Sequence, residues 1–299
     1  MRKLLAGAVV FFVATTLAFG QISRNADDLR PTGKGWGEKV PNGRAPRARV
    51  RSNGISYHGG PLLNSTAGAN AYYIWYGNWS GNSASTILTD LANGIGGTPY
   101  FNINTTYYDG SNVHVTNKVN YTGSTSDNYS QGTSFGDAGV QAIVSSAITS
   151  GKLPKDTNAV YFVLTSADVN ETSGFCTQYC GWHTNATIGG VDIKYSFVGN
   201  PDRCPSACEA QTTSPNGNSG ADGMASIIAH ELEEAVTDPD LNAWYDSRGY
   251  ENADKCAWTF GTEYTASNGS KYNMTFGSHN WLIQQNWVNA SGGYCSVSY

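Results

Sequence analysis

One segment limits the folds open to this chain more than any other. Asp222 can cap a helix, and Pro239, with no amide hydrogen to donate, bars its continuation. Between them Met224, Ile228, Leu232 and Ala235 recur at helical spacing, so the helix lays one stripe on a core. Beside that stripe stand His230, Glu231 and Glu234, in the order His-Glu-x-x-Glu. At about 100° per residue, positions i, i+1 and i+4 share one broad face. An imidazole and two carboxylates next to a core stripe are drawn out of water and need compensation, which a divalent cation supplies. Zinc accepts both His nitrogen and Glu oxygen. We therefore read His230 and Glu234 as metal ligands and Glu231 as the general base of a metal-assisted hydrolysis. Glu233 falls on another face and is expected in solvent.

The compartment follows from the ends and the cysteines. Met1-Arg2-Lys3, an apolar run from Leu4 to Leu17 and the small residues before Gln21 describe a signal peptide over 1–20. The run is too short to span a bilayer, and no later stretch is apolar enough to do so. Cys176, Cys180, Cys204, Cys208, Cys256 and Cys295 all lie in the second half. An even set in an exported chain is expected to form disulfides, with pairing open. The chain is thus expected to be secreted or extracellular, with the periplasm as a variant.

Charge divides the chain. Residues 1–51 carry 10 of the 18 Lys and Arg, and from residue 52 onward acids outnumber bases by 20 to 8. The acidic body excludes nucleic acid as a partner. Residues 21–53, rich in Pro, Gly and Arg, read as a basic flexible arm or a propeptide, with a protease-sensitive junction at Arg44–Arg51 as one option. Residues 54–299 form a single domain.

Within that domain strands are expected at 71–76, 100–108, 113–121, 159–164 and 191–198. Asp109-Gly110 reads as a hairpin turn. Helices are expected after Ser83, after Asp137 and after Asp222. Residues 166–190 and 199–221 read as long cysteine-bearing loops, and the tail past Pro239 as irregular. Strands interleaved with helices point to a three-layer α/β domain with a mixed sheet.

Two ligands do not make a zinc site. The motif is similar to the zincin His-Glu-x-x-His, with Glu as second ligand, and zincins draw a third ligand from further along the chain. Glu251 is the first choice here, with Asp254 and Asp240 as alternatives. Tyr245 or His279 could stabilise an oxyanion. His58 and His183, the latter in a presumed disulfide loop, could approach the site in space. The acids Asp238, Asp240, Asp246, Glu251 and Asp254 would also suit calcium in a structural role. Trp75, Trp79, Trp244, Trp281 and Trp287 could line a sugar-binding surface.

Several strings extend the reading. Tyr57-His58-Gly59-Gly60-Pro61-Leu62-Leu63, Ile74-Trp75-Tyr76-Gly77, Cys180-Gly181-Trp182-His183 and Gly220-Ala221-Asp222-Gly223-Met224 resemble the EXORDIUM or phosphate-induced protein family over roughly residues 56–299. Residues 230–239, with Glu251, Asp254 and Cys256, look more like microbial relatives bearing H-E-x-x-E-A-x-T-D-P and a later E-x-x-D-x-C. The resemblance implies export, one domain, and Glu251 with Asp254 as members of the site. The function expected is a secreted zincin-like metallohydrolase acting on peptides. The alternatives are a non-catalytic extracellular or cell-wall polysaccharide-binding protein with a structural metal and, behind it, a surface-assembling protein.

Overall fold

The computed structural model describes residues 29–34 and 54–299. The expected signal peptide and the basic junction at 44–51 lie outside the described residues. A five-stranded sheet forms the centre, from β1 (Ala69–Tyr76), β2 (Val119–Asp127), β3 (Ala159–Thr165), β4 (Gly181–Ile188) and β5 (Val191–Gly199). Their order across the sheet is β2-β1-β3-β5-β4. The pairs β1/β2, β1/β3 and β3/β5 run parallel, and β4 is antiparallel to β5. The fold is therefore α/β with a mixed sheet. Every residue of β3 is buried, as befits a central strand covered on both faces.

Three longer helices attach to this sheet: α1 (Ala84–Gly94), α2 (Asp137–Thr149) and α3 (Ser219–Thr237). The step from β1 to β2 moves one way along the sheet and the step from β2 to β3 moves the other. Right-handed crossovers then place α1 and α2 on opposite faces. Side chains agree. Tyr73 of β1 reaches α1, its hydroxyl donating to Leu88 O at 3.1 Å, while Tyr76, on the alternate face, packs against Phe135 at the foot of α2. α3 packs beside α1 and against β4 and β5.

Local signals explain most elements. Asn82 Oδ1, rather than Ser83, accepts from the Ala84 amide at the start of α1. Asn218, rather than Asp222, caps α3, accepting from the Ala221 amide at 3.0 Å, and α3 stops at Thr237 before Pro239.

Three expectations are corrected. Residues 100–108 contain a 3₁₀ helix, Phe101–Thr106, instead of a strand. Its Thr105 and Thr106 hydroxyls donate back to Asn102 O and Ile103 O, local bonds that compete with extended backbone. The strand expected at 113–121 begins only at Val119, and its earlier part holds a single bridge between Tyr108 and His114. The supposed loop at 166–190 contains β4. Gly189 and Gly190, both at positive φ, make the two-residue turn that folds β4 onto β5, with Ile188 opposite Val191.

The six cysteines form Cys176–Cys204, Cys180–Cys208 and Cys256–Cys295. The first two join the loop before β4 to the loop before α3. The third ties the segment after Pro239 to the C-terminal strand. Trp75, Trp244, Trp281 and Trp287 are buried, so they serve the core and present no open face to a sugar.

Candidate metal centre

α3 carries the middle of the site. Apart from Ser219, Asp222 and Gly223, every residue of this helix is buried. β4 and β5 cover one side, and the 3₁₀ turn at 101–106 and the segments around Asn252 and Gln284–Trp287 cover others. That enclosure corrects Glu233. It is fully buried, its side chain takes a hydrogen bond from Asn286 Nδ2, and Asn252 Nδ2 donates to its carbonyl at 3.1 Å. Burial pushes its carboxyl well above the usual range, which keeps it neutral. The wheel showed only one core contact for α3, whereas the folded chain wraps the helix.

On the β4 side the helix comes close because Gly181 has no side chain. A Cβ there would sit 2.5 Å from Ile227 Cγ2 and 3.2 Å from Glu231 Oε1. Two residues along the strand, His183 points the same way and enters the cluster. Its Nδ1 lies 3.4 Å from Glu231 Oε2 and 3.5 Å from Glu234 Oε2. Its Nε2 lies 3.5 Å from Glu251 Oε1 and 3.4 Å from Asp238 O. On the other side of Glu234, Oε1 lies 3.2 Å from His230 Nε2, which is itself 3.7 Å from Asp254 Oδ1. Glu234 thus stands between two imidazoles, one to each oxygen.

The loop after α3 completes the cluster. Asp238 Oδ1 accepts from the amides of Asn242 and Ala243, which fixes the turn past Pro239. The Asp254 amide donates to Glu234 Oε1 at 3.0 Å, and the Glu251 amide donates to Asp254 Oδ2 at 3.3 Å. His183, His230, Glu231, Glu234, Asp238 and Glu251 each expose 1 % or less of their surface. Asp254 is half-buried.

Five carboxylates against two imidazoles in such burial is an imbalance. Burial and the neighbouring Glu234, Asp238, Asp254 and Glu231 push Glu251 well above the carboxylate range. Burial likewise raises Asp238 to about 7, against the pull of the Ala243 amide and His183. For Glu234 burial is outweighed by His230 and His183, which hold it at about 2. His183 is raised; burial opposes its charge, but Glu234 and Asp238 prevail. Among the described residues Glu234 Oε2, Asp238 Oδ2 and Glu251 Oε1 take no hydrogen bond. Two sets of ligand atoms lie close enough to share one ion: His183, Glu231 and Glu234, and His230, Glu234 and Asp254. The donor set fits a divalent cation, and two imidazole nitrogens suit zinc better than calcium, which takes oxygen ligands.

The sequence-derived candidates sort accordingly. His230, Glu231, Glu234, Glu251 and Asp254 come together. Asp240 does not join them: it is half-buried beside Lys194, at 3.8 Å. Asp246 organises its own turn, accepting from the Arg248 and Tyr250 amides. Tyr245 stacks on His58 with centroids 3.6 Å apart, and His279 pairs with Asp90 at 3.4 Å. His183 is the residue the motif could not supply. The Gly189-Gly190 turn was the sequence signal for β4, and strand alternation then puts Gly181 and His183 on one face.

Comparison with known proteins places these features in context. A family model described as "Phosphate-induced protein 1 conserved region" matches residues 55–287. The chain is 32% identical over 282 residues to Protein EXORDIUM-like 3 of Arabidopsis thaliana, covering 81% of this chain and 82% of that protein. It is 34% identical over 218 residues to Protein EXORDIUM-like 5 of the same plant, covering 64% of this chain and 59% of that protein. Protein PHOSPHATE-INDUCED 1 of Nicotiana tabacum is 26% identical over 220 residues, 64% of this chain and 67% of that protein. No solved structure matches the chain. The three disulfides are consistent with an extracellular protein, and no helix among the described residues is long and apolar enough to cross a membrane.

Proposed function

The chain belongs to the phosphate-induced protein 1 family, and on that premise we propose that it is a secreted metal-dependent hydrolase acting on peptides. One observation carries the reading: Glu234 lies between His230 and His183, imidazoles from a helix and a strand, inside a buried group of carboxylates. Such a group needs either protons or a cation, and imidazoles with acids in reach of one another are a zinc-type donor set. In this reading His230, Glu234 and Asp254 hold Zn2+, with Glu251 behind them, and α3 is used in a zincin-like way. When bound, the cation supplies Lewis acidity. Glu231 is the general base, taking a proton at Oε2. His183, 3.4 Å from that oxygen, orients Glu231 and shares the proton. This reading also groups the chain, by the H-E-x-x-E-A-x-T-D-P and E-x-x-D-x-C strings of residues 230–256, with a microbial branch of the family, a grouping that is itself part of the proposal.

The test is hydrolysis of casein-like substrates by the purified full chain with zinc, beside Glu231→Gln. Activity in the wild type, lost in the variant while zinc is still bound, supports the enzyme. Absence of turnover in both, with one ion bound, removes it.

A second reading draws on the carboxylate excess. Five acids to two imidazoles, all enclosed but the half-buried Asp254, also suit a structural calcium ion in a non-catalytic extracellular or wall-binding protein. Calcium preferred over zinc in a metal competition would favour it.

A further inference from the structure

β4 is the outermost strand of the sheet, and among the described residues no strand pairs with its outer side. An open strand edge is a template for an extended peptide. Here that edge is engaged by residues 29–34 of the same chain. The Leu29 amide donates to Ser247 O at 3.2 Å. Gly249, at φ +81, lets Leu29 and Arg30 pass close, their carbonyls about 3 Å from where its Cβ would stand. Pro31 and Gly33 are buried, although the residues around them are polar. The His183 amide donates to Gly33 O at 3.0 Å. Lys34 then reaches Asp137 at 2.5 Å, with its ammonium 5.2 Å above the Tyr179 ring and 5.6 Å above Trp182.

Gly33 is fitted to this place by shape. Its φ is +67, and a Cβ on it would lie 1.9 Å from His183 O and 3.4 Å from Leu241 Cδ1. Only glycine passes there. The segment thus runs from the loop that leads to Glu251 to the strand that bears His183, two walls of the cluster.

We propose that the outer edge of β4 at His183 is a binding edge for a peptide that bends at a glycine set opposite His183 and follows it with a basic residue, and that residues 29–34 occupy it in the full-length chain. Glycine is selected by the contact with His183 O. The basic residue is selected by Asp137 and the faces of Tyr179 and Trp182. That an occupant of this edge is a substrate, and residues 29–34 its internal competitor, rests on the hydrolase reading. The occupancy itself does not.

The test uses the full chain, wild type and Gly33→Val, without added metal. Amide hydrogen exchange reads the His183 N–H. Anisotropy reads binding of a labelled peptide, Leu-Arg-Pro-Thr-Gly-Lys. The tethered segment competes at an effective concentration on the order of millimolar, so the wild type should ignore micromolar peptide. Gly33→Val should lose protection at His183 and bind the peptide, and Lys34→Ala should do so partially. Protection at His183 unchanged in Gly33→Val, with the same thermal midpoint as wild type, overturns the proposal. So does equal peptide binding, or none, in both chains. Neither readout depends on zinc or turnover, so failure of the hydrolase reading would be seen separately.

Discussion

α2 and α3 flank the same sheet and bury themselves in opposite ways. α2 shows an ordinary amphipathic pattern: Val140, Ile143, Val144, Ala147 and Ile148 are buried, and the side chains between them are largely exposed. α3 has no solvent face over most of its length and buries His230, Glu231, Glu233 and Glu234 among apolar neighbours. The first helix is scaffold, apart from Asp137 at its first turn, which pairs with Lys34. The second holds charge inside the protein, which costs free energy unless something compensates it. The cover that makes this possible is the chain past residue 239, expected to be irregular but folded into short antiparallel pairs such as Asn286–Val288 with Tyr294–Ser296, and fastened by Cys256–Cys295.

If that contrast is right, the two sides should fail differently. The largest effect should come from the cover. Removing Cys256–Cys295 by double alanine substitution opens a 39-residue loop and should cost about 4 kcal/mol on the chain-entropy account. Chemical denaturation measures it, and zinc uptake should weaken in parallel because Asp254 stands two residues from Cys256. Next, Ile143→Ala in α2 should cost about 3 kcal/mol as a core cavity and leave zinc affinity unchanged. Glu234→Gln in α3 should differ by losing zinc: calorimetric zinc affinity should fall by at least about the hundredfold seen for loss of a supporting group, and stability should fall as well, because His230 and His183 lose the carboxylate between them. A variant of α2 that abolished zinc uptake would break the comparison.

The smallest effect concerns a carboxylate away from the cluster. Glu209 is buried near Asp202 and Asp222, and burial together with Asp202 raises it to about 7. A carboxyl with a raised folded pKa favours folding below its unfolded value of about 4.5. That contribution is lost as pH climbs through about 7. The wild-type thermal midpoint should therefore drop relative to Glu209→Gln between pH 5 and 8, by about 2–4 °C if the linkage is on the order of 1 kcal/mol.

The contrast between the helices also explains what could be read in the chain. α2 was legible because its burial follows its own periodicity. The stop of α3 before Pro239 and the buried strands β1, β3 and β5 were legible too, as was the return of Asp254 to His230 and of Glu251 to the same cluster beside His183. The first group is written in local residue order. The two acids followed from a zincin-like spacing and from the resemblance read in the sequence. Glu233 misled because a helical wheel knows one neighbour, and α3 has several. Residues 101–106 misled because Asn and Thr bond to their own backbone while keeping an alternating pattern. The position of His183 is hidden because Cys176 and Cys180 beside it favour a loop reading, while the Gly189-Gly190 turn that makes it a strand residue lies six residues on. Its partner contacts are separated by 48 residues or more, a distance no local pattern spans.

The claim on which the rest depends is that His230 and Glu234 bind one divalent ion. Anomalous diffraction at the zinc edge, from crystals of the full chain grown with zinc, tests it most directly. The account predicts a single strong peak about 2.0–2.2 Å from His230 Nε2 and a Glu234 oxygen, the usual zinc distances. A peak elsewhere, or none between α3 and the turn at Asp254, would contradict it.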